Sequence, residues 1–440
     1  MQSDESLLAR PAFQQAARNF AWLLGERGIR FALGAGVGFL IARQLGPTLL
    51  GSLSYGVAVV TLFQSFAGAG IDAVVRRDLL QTPEHTHRLL ADSVGLRVLG
   101  GLVAGLAMVV YLYFVPVRSA DERMVLIVLS LLLLQPAWTV PELWLQAHLH
   151  ARQAVLAQTV ALAVAAAVRL WLLATGGGLP AFAAAIVLEN LLAGVALHFA
   201  ARRAGLRINW WPVPGPVMRR LAVESAPLWI TSMAIIVYMR IDEIMLRHLS
   251  GPAEVGIYAA ATKLSEIWYF VPVALGSSLL PALIRARNAG PDAYHDRLQR
   301  YFDVSAAAAY GLAIPVAVLA PWLIRLAYGE AYAASAPVLA IHIWASLFVF
   351  SGVARGQWLV NEGHTHFYLY ATVAGAVSNI VLNLYFIPRW GAAGAAWATL
   401  LAYGVAAWLS SFATAPTRAV AWMQTRALLL PLLGWRYLRS

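Results

Sequence analysis

Arg240, Asp242 and Glu243 stand within four residues of one another in MAIIVYMRIDEIMLRHL (233–249), a stretch otherwise apolar throughout its first half. An arginine there offers a planar fork of donors suited to a phosphate or a carboxylate. Glu243 lies three residues on, shares a helix face with Arg240 and can neutralise it. Asp242 points elsewhere on the helix and needs its own partner. An ion or proton site would supply one, and an arginine of the first apolar segment would serve equally. Two further groupings repeat the theme: Glu26, Arg27 and Arg30 in GERGIRFALGAGVGFL (25–40), where Glu26 and Arg30 are four apart, and Lys263 with Glu266 in TKLSEIWYF (262–270), three apart. Arg97 stands alone in SVGLRVLGG (93–101). Trp268 and Tyr269 adjoin the Lys263 group, where an aromatic face would pack against a sugar ring or a neighbouring helix.

Other chemistry is excluded. The chain has no cysteine, so thiolate nucleophiles, iron–sulfur clusters and disulfides are absent. Its only lysine, Lys263, sits in AATKLSE without the glycine pattern of a phosphate-binding loop, which argues against direct use of ATP. Three His-x-His pairs (His85 and His87, His148 and His150, His364 and His366) diverge on a helix and have no recurrent acidic neighbour, so no metal site and no cofactor is expected.

The elements that position these groups follow from composition. The 440 residues are 60% hydrophobic and 12% charged, with a mean hydropathy of +0.68. Soluble chains carry about a quarter of charged residues, so this is an all-α polytopic membrane protein. Twelve segments have the roughly 20 apolar residues a spanning helix needs: 20–43, 50–71, 89–115, 124–147, 153–175, 181–202, 225–247, 255–282, 303–326, 334–359, 366–388 and 391–413. The N-terminus has no cleavage signature of a signal peptide, so the first segment is expected to stay. Alternate loops differ sharply in arginine. One set holds only Arg43, Arg118, Arg123, Arg247, Arg325 and Arg389; the other holds most of the rest, including both terminal segments. The arginine-rich side, with both termini, is therefore expected to be cytoplasmic. The net charge of +11 reads as orientation and contact with anionic lipid, not nucleic-acid binding.

The basic, proline-rich loop RRAGLRINWWPVPGPVMRR (202–220) falls between the sixth and seventh segments. It divides the chain into a six-helix bundle at 1–202, a linker at 203–223, a second six-helix bundle at 224–413 and a basic tail at 414–440. A shift of 205 lays LGPTLLGSL (45–53) on SGPAEVGIY (250–258), matching Gly46, Pro47 and Gly51 to Gly251, Pro252 and Gly256. Both stretches join the first two spans of a half, as a parallel duplication requires.

Each cation at a helix centre costs about 2.5–3.5 kcal/mol on insertion scales, so Arg27, Arg30, Arg97, Arg169, Arg240 and Lys263 must face protein or water. Local pairing lowers that cost without removing it, and a wet cavity between the halves is the alternative. Arg355, about 14 Å from its span's midpoint, is expected to snorkel to the interface. RALLLPLLGWRYL (426–438) is too short to span and is expected to lie along the membrane.

The stretches ARQLGPTLLGSLSYG (42–56), RIDEIMLRHLSGPAEVGIYAAATKLSEIWYFVPVALGSSLLPAL (240–283) and SNIVLNLYFIPRWGAAGAAWATL (378–400) resemble the Wzx-type polysaccharide flippases of the multidrug/oligosaccharidyl-lipid/polysaccharide exporter superfamily. The resemblance implies about twelve transmembrane helices in two bundles around a central cavity that opens alternately to each side of a bacterial inner membrane. It implies a cargo of polyprenyl-diphosphate-linked oligosaccharide for surface polysaccharides such as O-antigen, and a polysaccharide polymerase or ligase as a further partner. On that reading Arg27, Arg30, Arg97, Arg240 and Lys263 hold the diphosphate or acidic sugars, while Asp242, Glu243, Glu266 and Glu26 serve pairing or coupling to Na+ or H+. The chain is then a secondary-type transporter and not an enzyme. The rivals are a drug or cation exporter of the same superfamily, which needs acids to dominate the cavity, and a membrane-embedded glycosyltransferase or polymerase, which usually carries a large acidic outward loop.

Overall fold

The computed structural model describes residues 5–68, 70–115, 119–206 and 215–433, with their side chains from Leu33 to Pro431 except those of Pro83, Pro216, Pro227, Leu280 and Thr365. All regular structure among them is helical. Where water is absent, a backbone must satisfy its polar groups within each segment, and only a helix does so alone.

The first half consists of α1 (Glu5–Gly68), α2 (Ile71–Gln81), α3 (Thr86–Phe114), a segmented run of α4 (Ala120–Ser130), α5 (Gln135–Trp138) and α6 (Val140–Ala147), then α7 (Ala151–Thr175) and α8 (Leu179–Arg203). The second consists of α9 (Pro216–Leu249), α10 (Pro252–Glu266), α11 (Phe270–Ala289), α12 (Pro291–Tyr328), α13 (Ser335–His342), α14 (Ala345–Asn361), α15 (Thr365–Ala407), α16 (Ala415–Leu428) and α17 (Leu430–Leu433). α1 packs on α3, α4 and α7, and α7 on α8, in one bundle; α9 packs on α15, and α12 on α11, α13, α14 and α16, in the other. Large apolar side chains such as Leu102, Leu106, Val109 and Phe114 on α3 remain exposed. A continuous apolar stripe on a spanning helix is the face hydrocarbon covers.

Eight helical runs among the described residues are long and apolar enough to cross a membrane, and ten when two bent pairs are each taken as one span. Two of the ten contain two of the expected segments, joined across a non-helical glycine at Gly46 and at Gly391. Eleven of the expected segments fall on these runs to within a residue, and the run that begins at Leu33 holds the later part of the one expected at 20–43. The break at Gly391 is held by Glu254 of α10, whose carboxylate accepts the Ala392 N–H at 2.7 Å. The chain after 414 is not a free tail here: α16 packs on α12, and its buried Gln424 donates to Ser351 Oγ and the Ala407 carbonyl, both at 2.8 Å. Residues 426–428 of the stretch expected on the membrane surface belong to this helix.

The internal repeat has a structural counterpart. Gly46 (φ 69°, ψ 174°) and Gly251 (φ 101°, ψ 174°) adopt the same positive-φ, extended-ψ backbone, and each turns the chain between two spans at a cost only glycine avoids. Five residues later the two bundles touch through the partner glycines. A Cβ on Gly51 would overlap the Pro252 carbonyl, and one on Gly256 would overlap the Pro47 carbonyl. This reciprocal contact brings α1 against α10 backbone to backbone on what we term the turn face.

Three other ties close the same face. The buried Arg247 of α9 donates to both carboxylate oxygens of Glu122 of α4, at 2.6 and 2.5 Å. Tyr332 donates to the Ala42 carbonyl at 2.9 Å, and Arg43 donates to the carbonyls of Leu326 and Ala327. On the opposite face, the bundles meet through the first turns of α9, bent by 51° from the rest of that helix. Arg220 reaches Asp78 at 2.6 Å, Arg77 pairs with Glu224, and Trp229 Nε1 donates to the Ser65 carbonyl at 2.9 Å.

Because the atoms opposing Gly51 and Gly256 are backbone, no rotamer change relieves an added methyl. We expect Gly256→Ala or Gly51→Ala to part the turn face. With no native cysteine to remove, spin labels on Leu49→Cys and Glu330→Cys would report a longer inter-bundle distance than in the parent; an unchanged distance contradicts the lock.

Candidate functional site

The charged groups of α9 and α10 converge with those of α7 and α8 at the boundary between the bundles. Arg240 is 33% exposed at its side chain and pairs with Glu243 at 3.1 Å. Lys263, in the last turn of α10, interacts electrostatically with Glu243, Arg240, Glu266 and, from the first bundle, Arg169. Arg169 of α7 is itself paired with Glu189 of α8 at 2.6 Å. Lys263 is exposed although it lies well inside a spanning helix, because it opens onto a cavity of about 320 Å³ between α1, α10 and α12, lined also by Gly34, Gly38, Phe39 and Tyr328. Glycines at 34 and 38 leave that space free of side chains. The α10 helix then tightens into a turn that holds the half-exposed Trp268 and Tyr269, whose hydroxyl is buried without a partner.

Asp242 faces away from this group, into the second bundle, and is 1% exposed. Tyr258 and Thr399 each donate to its Oδ2 at 2.6 Å, and the Asn383 amide nitrogen contacts its Oδ1. Asn383 also reaches Asn379 Oδ1 at 3.2 Å, and Thr399 donates as well to the Ala395 carbonyl at 2.9 Å. Asn379 Nδ2 and Asn383 Oδ1 are both buried without a partner. Turning the Asn383 amide over would place its oxygen against those of Asp242 and Asn379, an arrangement that only a cation or a proton between them stabilises. An oxygen-only set of this kind suits Na+ or H+ and not a softer metal. No group of three His, Asp or Glu able to hold a metal occurs among the described residues.

A chain of amides crosses the first bundle. Gln64 Nε2 donates to Gln135 Oε1 at 2.6 Å, and Gln135 Nε2 donates to Asn190 Oδ1 at 2.6 Å. At its edge Arg97 is buried, bound to Asp72 and to the Pro136 carbonyl at 2.8 Å, and walls a cavity of about 270 Å³ that Ile236 of α9 closes.

The expected residues are therefore divided. Arg240, Glu243, Lys263 and Glu266 come together, with Trp268 and Tyr269 following. Arg97 lies apart in the first bundle with a counter-ion of its own, and Asp242 lies apart in the second. The side chains of Glu26, Arg27 and Arg30 are outside the described residues. Two expectations are corrected. The described charges around Lys263 balance, Arg169, Arg240 and Lys263 against Glu189, Glu243 and Glu266, because each cation was placed beside an acid one or more turns away or on the adjoining helix. Cations do not dominate there. Arg355 does not snorkel. It is 3% exposed, and its guanidinium donates to Ser410 and Ser411 hydroxyls at 2.8 and 2.9 Å and to the Ala406 carbonyl at 2.7 Å, because the end of α15 and the helix after it cover the end of α14. Sequence reasoning missed Gln64, Gln135, Asn190, Tyr258, Asn379, Asn383 and Thr399, which are uncharged. Only Asn379 and Asn383, four apart in SNIVLNL, carried a signal.

A family model described as "Polysaccharide biosynthesis protein" matches residues 16–287, and the MatE model matches 227–385. No curated protein sequence matches. Among solved structures, "Lipid II flippase MurJ, inward closed conformation" is similar with a TM-score of 0.71 at 14% identity, over 94% of this chain and 92% of that one. An inward-facing multidrug resistance MATE family transporter of the MOP superfamily gives 0.67 at 14% identity, over 91% and 95%. A MOP superfamily transporter from Pyrococcus furiosus, titled for the reverse polarity of its binding pocket, gives 0.53 at 15% identity, over 94% and 93%.

Asp242→Ala would remove the shared acceptor of Tyr258, Thr399 and Asn383 and leave this buried cluster short of acceptors. An unsatisfied buried polar group costs about 1–3 kcal/mol, so the variant should melt well below the parent in detergent, with Asp242→Asn intermediate. Equal melting of all three proteins would contradict the network.

Proposed function

The chain belongs to the polysaccharide biosynthesis protein family, within the multidrug/oligosaccharidyl-lipid/polysaccharide exporter superfamily of flippases and transporters, and on that premise we propose that it flips a polyprenyl-diphosphate-linked oligosaccharide from the cytoplasmic to the outer leaflet of a bacterial inner membrane. The observation that carries the reading is the charged group at the bundle boundary, exposed to a cavity although deep within the spans. A hydroxyl moved into hydrocarbon unpartnered costs roughly 2–7 kcal/mol, so a glycan needs such a hydrated route while its prenyl tail stays in lipid.

In this reading Glu243 and Glu266 keep Arg240 and Lys263 neutralised when no cargo is present, and the diphosphate displaces them. A carboxylate on the same helix turn is a weak competitor for a guanidinium, because its geometry is fixed by the helix, whereas a diphosphate brings several oxygens that can align with the fork. Arg27 and Arg30 would join from α1. Trp268 and Tyr269 would take a sugar ring. In this reading the arginine-rich loops and both termini are cytoplasmic and the turn face is the outer one, so the carrier is closed on its outer face while the Arg220–Asp78 and Arg77–Glu224 pairs still hold its loading face. Loading then requires release of the Arg220–Asp78 and Arg77–Glu224 pairs about the bend in α9, and translocation re-forms them as the Gly51–Gly256 and Glu122–Arg247 contacts part. Asp242, Asn379, Asn383 and Thr399 would hold the Na+ or H+ whose gradient drives the cycle. A polymerase or ligase would take the glycan on the outer side.

One observation favours a second reading, export of organic cations: the MatE match covers the half that holds Asp242, Glu243 and Glu266. Transport with no chemical change to the cargo separates either reading from a glycosyltransferase.

Arg240→Gln and Arg30→Gln should each slow flipping of lipid-linked oligosaccharide in proteoliposomes by about tenfold or more, the worth of one charge-assisted contact. Undiminished flipping in both refutes the role, and transport of cationic dyes instead of lipid-linked sugar would establish the second reading. Under an imposed Na+ or pH gradient, Asp242→Asn should lose the stimulation that the parent shows. Equal stimulation of both proteins removes the coupling site.

A further inference from the structure

Among the described residues, Arg355 is a buried cation that makes no ion pair. Arg97, Arg169, Arg240 and Arg247 each pair with a carboxylate. The guanidinium of Arg355 has two hydroxyls, a carbonyl and the face of Phe367 at 5.8 Å, makes no ion pair with any described carboxylate, and leaves Nε without a hydrogen-bond partner. Burying a charge without compensation is among the most costly arrangements a fold can hold.

Beside it lies the largest cavity described here, about 530 Å³ between α9, α14 and α15. That volume is in the range of small-molecule sites. Tyr238, Tyr368 and Tyr403 form its walls with Gln357 and Asn361. Tyr238 and Tyr403 meet edge to face with ring centroids 5.0 Å apart, and none of the three phenol hydroxyls makes a hydrogen bond to another described residue. The cavity therefore offers free O–H donors, aromatic faces and one uncompensated positive charge, with no acid among its walls. Its α9 wall carries Tyr238, two residues before Arg240 of the charged group.

We propose that this cavity is a second cargo subsite that takes an acidic sugar, its carboxylate neutralising Arg355 and its ring and hydroxyls meeting the tyrosines. The assignment of the sugar to a lipid-linked cargo rests on the flippase reading; the pocket's chemistry does not. A sugar carboxylate fits better than a second phosphate because three of the five guanidinium N–H groups are already taken by Ser410, Ser411 and Ala406, leaving two for a single two-oxygen contact. The rings add the flat apolar surface that a pyranose, unlike an inorganic anion, can cover.

The test is saturation-transfer NMR on the purified full chain with D-glucuronate, D-glucose and inorganic diphosphate as probes. Glucuronate should bind, glucose should bind at least about tenfold more weakly for want of the charge-assisted contact, and diphosphate should not displace glucuronate in an Arg240→Gln background. Arg355→Gln should abolish the glucuronate signal. Because that change also removes bonds to Ser410 and Ser411, Tyr238→Phe and Tyr368→Phe, which delete hydroxyls with no protein partner, should weaken binding in proteins that melt like the parent. Equal binding of glucose and glucuronate, displacement by diphosphate, or no binding of glucuronate would each overturn the proposal. A parent protein that binds glucuronate and yet flips no lipid-linked sugar would sink the flippase reading and leave the subsite standing.

Discussion

A charge inside a membrane protein must be answered by another charge, by several hydrogen bonds or by water, and this chain is organised by how each of its buried ions meets that demand. Coulomb attraction rises steeply as the local dielectric falls, but so does the cost of leaving water. The result is that ion pairs here join elements instead of decorating them. Arg247 with Glu122 ties α9 to α4 across the two bundles, Arg97 with Asp72 ties α3 to α2, and Arg169 with Glu189 ties α7 to α8. Asp242 follows the same rule with dipoles: Tyr258, Thr399 and Asn383 come from α10 and α15, so one carboxylate fixes the relation of three helices.

The turn face meets a different constraint, set by shape. Gly51 and Gly256 let two helices approach until backbone meets backbone, a contact with much dispersion area and no side chain to rearrange. Such a contact is either made or not made. Packed surfaces of this kind are bistable, which is what a carrier with two access states requires. Its reciprocity follows from the duplication: the same glycine–proline turn, used twice, presents the same glycine to the partner turn's carbonyl.

The sequence was most readable where one physical rule acts alone. Hydropathy located twelve helices because each segment had to pass the same solvent, and the 205-residue shift located Gly46 and Gly251 because their backbone tolerates only glycine. The Arg240–Glu243 pair followed from helix spacing. What could not be read depended on where separate helices meet. The charge balance at Lys263 relies on Glu189, which lies 74 residues earlier in the chain and is brought close only by packing. The amides around Asp242 and along Gln64, Gln135 and Asn190 carry no charge to mark them. Arg355 was misplaced because distance from a span's midpoint predicts snorkelling only for a helix that faces lipid, and α14 is covered by α15, with α16 behind it through Gln424.

These placements separate two kinds of buried cation. Arg247 and Arg97 are nearly inaccessible and bound by acids on other elements, so moving either would cost a tertiary contact. Their role is architectural. Arg240 is a third exposed, and its acid lies on its own helix, so exchanging Glu243 for another anion breaks no ion pair between helices. Lys263 opens onto a cavity, with acids near it on α9 and on its own helix. A binding site has to be able to give up its internal partner without unfolding, and Arg240 and Lys263 meet that condition where Arg97 and Arg247 do not. The division follows from partner geometry and accessibility, and it places the exchangeable charges at the boundary that an alternating carrier must open.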